Sequence, residues 1–135
     1  MSNKETKTSE QANPSFPFSI ELELSQEDID DIMCSALEGG ICYWCDKAEV
    51  IGEYLGEYGH EQISRGGTLL LYDREEDEKH ELTRDKFIAG LQLFFKKGNM
   101  SLLDNDTCSV DPGDIDAIAA DTIIQYAIFG DLIYG

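Results

Sequence analysis

From Phe18 the chain alternates. FSIELEL puts Phe18, Ile20, Leu22 and Leu24 on one side and Ser19, Glu21 and Glu23 on the other, the period of a half-buried strand. The period then lengthens. Ser25 before Gln-Glu-Asp predicts a helix N-cap with acids in the first turn. Ile29, Ile32, Met33, Ala36 and Leu37 give that helix one apolar face, and Gly39-Gly40 close it. Residues 41–56 fit neither period, and Ile41, Tyr43, Val50, Ile51, Tyr54 and Leu55 suit a strand pair or a short helix. GEYGH (56–60) reads as loop and Gly66-Gly67 as a turn. TLLLYD (68–73) predicts a strand, buried more deeply than the first because Leu69, Leu70 and Leu71 are consecutive. DREEDEK then turns the chain, and KHELT returns as its hairpin partner.

Thr83 is placed to cap a second helix whose apolar face is Phe87, Ile88, Leu91, Phe94 and Phe95. Lys96, Lys97 and Gly98 end it with the charge and the glycine that a helix C-terminus favours. Asp111-Pro112 predicts the start of a third helix, with proline at its first position. From Ile115 to Phe129 it is apolar on most sides, interrupted by Asp116, Asp121 and Gln125, so a central place against the sheet is expected. Gly130 ends it, and the apolar DLIYG is expected to dock. Residues 1–15 read as a disordered polar tail and 16–135 as a single α+β domain. Its expected architecture is a mostly antiparallel sheet of about four strands with three helices packed on one face.

Composition narrows the setting. Hydrophobic residues make up 41% of the 135, enough for a core. There is no apolar run long enough to cross a bilayer, and MSNKETKTSEQANPS lacks a secretory h-region, so the expected location is the cytoplasm. Ten basic residues against 28 acidic ones give a formal net charge of −18. Such a surface repels phosphate backbones and anionic membranes, and attracts basic partners with strong salt dependence.

A reducing compartment bears on Cys34, Cys42, Cys45 and Cys108, which become free thiols, metal ligands or redox groups rather than a disulfide framework. GGICYWCD (39–46) holds a CxxC, Cys42 and Cys45, around the only tryptophan, Trp44. Packing of small polarizable sulfurs beside Trp44 is the first reading. The alternative is a structural zinc site completed by Cys34 and Cys108, or by His60 or His80. A redox pair is disfavoured because the motif follows a helix end instead of opening one. A cysteine nucleophile with His60 or His80 as base lacks any local supporting motif. SRGGT (64–68) precedes a strand and lacks the lysine of a phosphate loop. DNDTCSVDPGD (104–114) has Ser109 and Ile115 where a calcium hand needs glycine and glutamate.

Three acidic clusters remain. Asp28, Asp30 and Asp31 belong to the first helix, and Glu75, Glu76, Asp77 and Glu78 to the hairpin tip. Asp104, Asp106, Asp111, Asp114 and Asp116 surround the start of the third helix. The runs DIDDIMCSALEGG, YWCDKAEVIGEYLGEY, QISRGGTLLLYD, ELTRDKF and DIDAIAADTIIQYAIFGDLIYG resemble small acidic proteins of phages and conjugative elements of Gram-positive bacteria. That resemblance implies a counter-defence role of the anti-CRISPR kind, non-enzymatic and without a transferable site. Its implied partner is the basic channel of an RNA-guided CRISPR effector nuclease, bound through carboxylates that stand in for phosphates.

Overall fold

The computed structural model describes residues 13–18, 21–98, 103–104, 109–110 and 112–135. Helix α1, Gln26–Ser35, begins where Ser25 and Asp28 form a reciprocal capping box: each side chain accepts the other's backbone N–H at 3.0 Å. Its stripe of Ile29, Ile32 and Met33 is buried. A π-helical turn, Ala36–Gly40, carries the chain on to the expected glycine stop.

The ambiguous stretch resolves into a turn at 41–44 followed by strand β1, Cys45–Ile51. Strands β2, Thr68–Asp73, and β3, Glu78–Leu82, form the expected hairpin, and β2 is central in an antiparallel sheet ordered β1-β2-β3. Asp46 is an extra residue in β1, a bulge between the pairs Cys45–Asp73 and Lys47–Tyr72. Along β2, Leu69, Leu71 and Asp73 are buried while Thr68, Leu70 and Tyr72 are half-buried. The three consecutive leucines therefore alternate between faces, because only one face of the sheet is roofed by helices. Two-residue strands β4, Leu103–Asp104, and β5, Ser109–Val110, make a separate ladder.

Among the described residues the main sheet thus has three strands, where about four were expected. The missing one is FSIELEL. Within its described residues only Glu23 makes an isolated bridge, and Phe18 is 87% exposed. Leu24 still packs on the edge of the core. Alternation describes which side chains seek burial, but a strand also needs a neighbour for its backbone.

Helix α2, Arg84–Lys96, is capped by Thr83 as expected and buries Phe87, Leu91, Phe94 and Phe95. Helix α3, Ala117–Phe129, starts five residues after the expected proline. Pro112–Asp114 form a 3-10 turn instead, and Asp116 is the N-cap, accepting from the Ala119 N–H at 2.9 Å. Helix α3 makes its most extensive contact with α2 and less with the sheet. That crossing is close: a Cβ on Gly90 would lie 2.7 Å from the backbone of Ile123 and Ala127. Gly130 closes α3 in the left-handed conformation, and the C-terminal tail turns back onto the core. One core joins all three helices to the inner face of the sheet.

Candidate functional site: an acidic hairpin tip braced from below

The segment GGICYWCD is a structural joint. The Trp44 side chain is fully buried and meets Phe129 and Tyr134, with ring centroids at 5.7 and 5.5 Å. Its indole N–H donates to Asp121 at 2.8 Å. The same carboxylate accepts from Tyr43 Oη at 2.7 Å and Gln125 Nε2 at 3.0 Å. Asp121 and Gln125, two of the three polar residues that interrupted the α3 pattern, are therefore buried partners. Gln125 turns its oxygen to the tail, accepting from the Ile133 and Tyr134 N–H groups at 2.8 Å each.

Tyr134 carries this network to the hairpin. Its hydroxyl lies 3.0 and 2.9 Å from the two oxygens of Asp73, whose side chain is buried at the end of β2. Asp73 also accepts from the Glu75 and Glu76 N–H groups and sits 3.3 Å from His80 Nε2. Burial raises the Asp73 carboxyl, but the bonds from Tyr134, Glu76, Glu75 and His80 outweigh it and hold the carboxyl below its ordinary value. Tyr134 and Tyr43 are pushed up to about 12, by burial and then by donation to Asp73 and Asp121 respectively.

Above Asp73 stands the turn. Glu75, Glu76, Asp77 and Glu78 are all exposed, and Asp77 adopts φ 53°, a left-handed position that aspartate tolerates. Arg74, the cation of this turn, makes its bonds to residues 42–46. It pairs with Asp46 at 2.6 Å and donates to the carbonyls of Tyr43 and Cys42 at 3.1 and 3.3 Å. The tip is thus anchored on both sides while its carboxylates face outward. Beside it, a groove of ≈ 380 Å³ runs between Asp46, Lys47, Tyr72 and Asp77–Lys79. Lys47 and Lys79 approach the Tyr72 ring at 4.4 and 5.3 Å.

The α1 cluster is different. Asp28 is committed to the cap, and Asp30 accepts from Ser64 Oγ at 2.5 Å and pairs with Arg65 at 3.4 Å. Asp31 alone of the three is exposed. In the third cluster, Asp114 is exposed and Asp116 is the α3 cap; Asp106 and Asp111 lie outside the described residues, as does the side chain of Asp104.

The cysteines separate by environment. Cys42 is exposed, with its thiol 3.5 Å from the Leu37 carbonyl. Cys45 is buried and donates to the Lys47 carbonyl at 3.3 Å. Cys34 is half-buried on α1, and Cys108 lies outside the described residues. Burial pushes the Cys34 and Cys45 thiols up, the direction opposite to that of an activated nucleophile. Among the described residues, no three His, Cys, Asp or Glu side chains converge to hold a metal ion. His60 stacks on Tyr58, and His80 meets Phe129 edge-on.

The sequence reading missed Asp73, Tyr134, Asp121 and Gln125 as a connected brace. A faint signal existed in the spacing of Asp121 and Gln125, four apart in an otherwise apolar helix. No protein-family model, curated protein or solved structure matches the chain. Among the described residues, no helix is long and apolar enough to cross a membrane.

Proposed function

We propose that this protein is a non-enzymatic acidic inhibitor of a phage or mobile element. It binds the basic surface of a nucleic-acid-handling protein, a CRISPR effector nuclease, and blocks loading of target DNA. The observation that carries this reading is the hairpin tip: four successive exposed carboxylates on a turn whose backbone is pinned by Asp73. A pinned turn loses little conformational freedom on binding, so its charge is available at low entropic cost. The net charge of −18 supplies long-range steering toward a basic channel. Exposed Asp31 adds to the field, while Asp28 and Asp30 serve the fold.

The test is DNA cleavage by a panel of purified guide-loaded CRISPR nucleases with and without the protein. Inhibition of one nuclease, relieved by rising salt and by Glu75→Lys with Glu76→Lys, is the expected result. Inhibition indifferent to both changes would remove the tip from the mechanism. The competing zinc-stabilised adaptor, using Cys34, Cys42, Cys45 and Cys108, requires stoichiometric zinc and a melting temperature that falls on chelation.

A further inference from the structure

At the end of β1 the chain enters a loop that exposes large side chains in close succession. Tyr54 is 61% exposed, Leu55 49% and Tyr58 55%. This loop is braced. Gln62, itself buried, accepts from the Leu55 N–H and donates to the Glu53 carbonyl, both at 3.0 Å. Glu61 Oε1 accepts from the Glu57 and Tyr58 N–H groups at 2.7 and 3.0 Å. Gly56 makes that closure possible, since a Cβ there would lie 2.7 Å from the same oxygen. His60 stacks on Tyr58 at 5.6 Å and orients the ring.

Two polar side chains thus hold a loop whose outward residues are aromatic and aliphatic. Rigid tyrosines offer large contact area at little entropic cost, as binding loops require. We propose that residues 53–58 are a preformed docking element for a protein surface carrying an apolar groove bordered by lysines or arginines. The border follows from charge: exposed Glu53 and Glu57 flank the apolar side chains. A second copy would meet those glutamates with its own, against a net charge of −18 on each chain. The element is also separate from the hairpin tip. Ile51 pairs with Thr68 and Cys45 with Asp73, so loop and tip leave opposite ends of the sheet, about 17 Å apart.

The experiment is an amide-shift titration of the isotope-labelled full chain with a helical leucine–lysine peptide, whose apolar stripe is bordered by lysines. A glutamine–lysine peptide of equal charge is the control. The leucine peptide is expected to shift the amides of 53–58 where the control does not. Tyr54→Ser with Tyr58→Ser should weaken its affinity at least about tenfold, the loss of one good anchor. The brace uses Gln62, Glu61 and main-chain atoms, so the rest of the amide spectrum should stay unchanged; Leu55→Ser gives a second, independent variant. Equal responses to both peptides, or shifts confined to 74–78, would overturn the proposal in favour of charge alone. Concentration-dependent shifts at 53–58 without peptide would overturn it in favour of a second copy. No nuclease enters the measurement, so its outcome is independent of the inhibitor reading.

Discussion

Asp121 shows how much one side chain can organise. It is buried, has no cationic partner among the described residues, and accepts from Trp44, Tyr43 and Gln125. Asp121→Ala would strand the buried indole N–H and loosen Gln125, which holds the tail. The expected loss is about 2–4 kcal/mol, read from urea unfolding, since each orphaned buried donor costs about 1–3 kcal/mol. A loss below about 0.5 kcal/mol, within the range of surface substitutions, would contradict the network. The two tyrosines bound to buried carboxylates give a second handle. Their folded-state pKa values, about 12, lie above the ordinary 10.0. A raised folded value means stability that is complete below pH 10 and lost as pH rises toward about 12. Tyrosinate absorbance should accordingly show two phenols that ionise only toward about pH 12, and Tyr134→Phe should leave one. Early ionisation of all six tyrosines would mean that neither bond forms in solution.

Among elements, the contact of α2 with α3 is the most sensitive to a single methyl group. Alanine favours a helix over glycine by about 1 kcal/mol, so Gly90→Ala would stabilise an exposed helix. Here the added Cβ would meet backbone atoms of Ile123 and Ala127 at 2.7 Å, and backbone cannot step aside cheaply. Net destabilisation of about 1–3 kcal/mol is expected, measurable as a lowered urea midpoint. A stabilised variant would show that the helices cross elsewhere. At the start of α1, the capping box explains why Asp28 contributes to helix start more than to the acidic surface. Ser25→Ala should cost about 1 kcal/mol, and an unchanged midpoint would deny the cap.

Charge acts on the whole molecule in two opposed directions. With a net charge of −18, self-repulsion works against the compact state, so added salt should raise the melting temperature. The same salt should weaken binding to a basic partner. Thermal melts and binding measured across one salt series separate the two, and binding that strengthens with salt would contradict an electrostatic interface. Reversing charge at Glu75 and Glu76 should alter binding alone. Their side chains face solvent, and only their N–H groups serve the fold through Asp73. A marked drop in melting temperature for that variant would show that the tip is structural.

Much of the architecture was legible because it depends on neighbours a few residues apart. Ser25, Thr83 and Gly130 announce their caps, Ile29-Ile32-Met33 and Phe87-Leu91-Phe94 announce their buried stripes, and the 68–82 hairpin is marked by its turn. The exposed acids of 75–78 follow from the same local pattern. What lay beyond reach was pairing at long range. FSIELEL has a strand's alternation, but its described residues make only one isolated bridge, and Pro112 yielded the α3 start to Asp116. The CxxC sulfurs divide between core and surface because β1 begins at Cys45. Asp73 meets Tyr134 across 61 residues and Trp44 meets Asp121 across 77, so these polar residues gained their roles only when folding brought the partners together. Sequence by itself determined where α1 and α2 begin, which faces are apolar and where charge gathers, since those obey local geometry. The tertiary structure alone decided which polar groups are buried, because a buried donor or acceptor is tolerated only where a partner from elsewhere in the chain meets it.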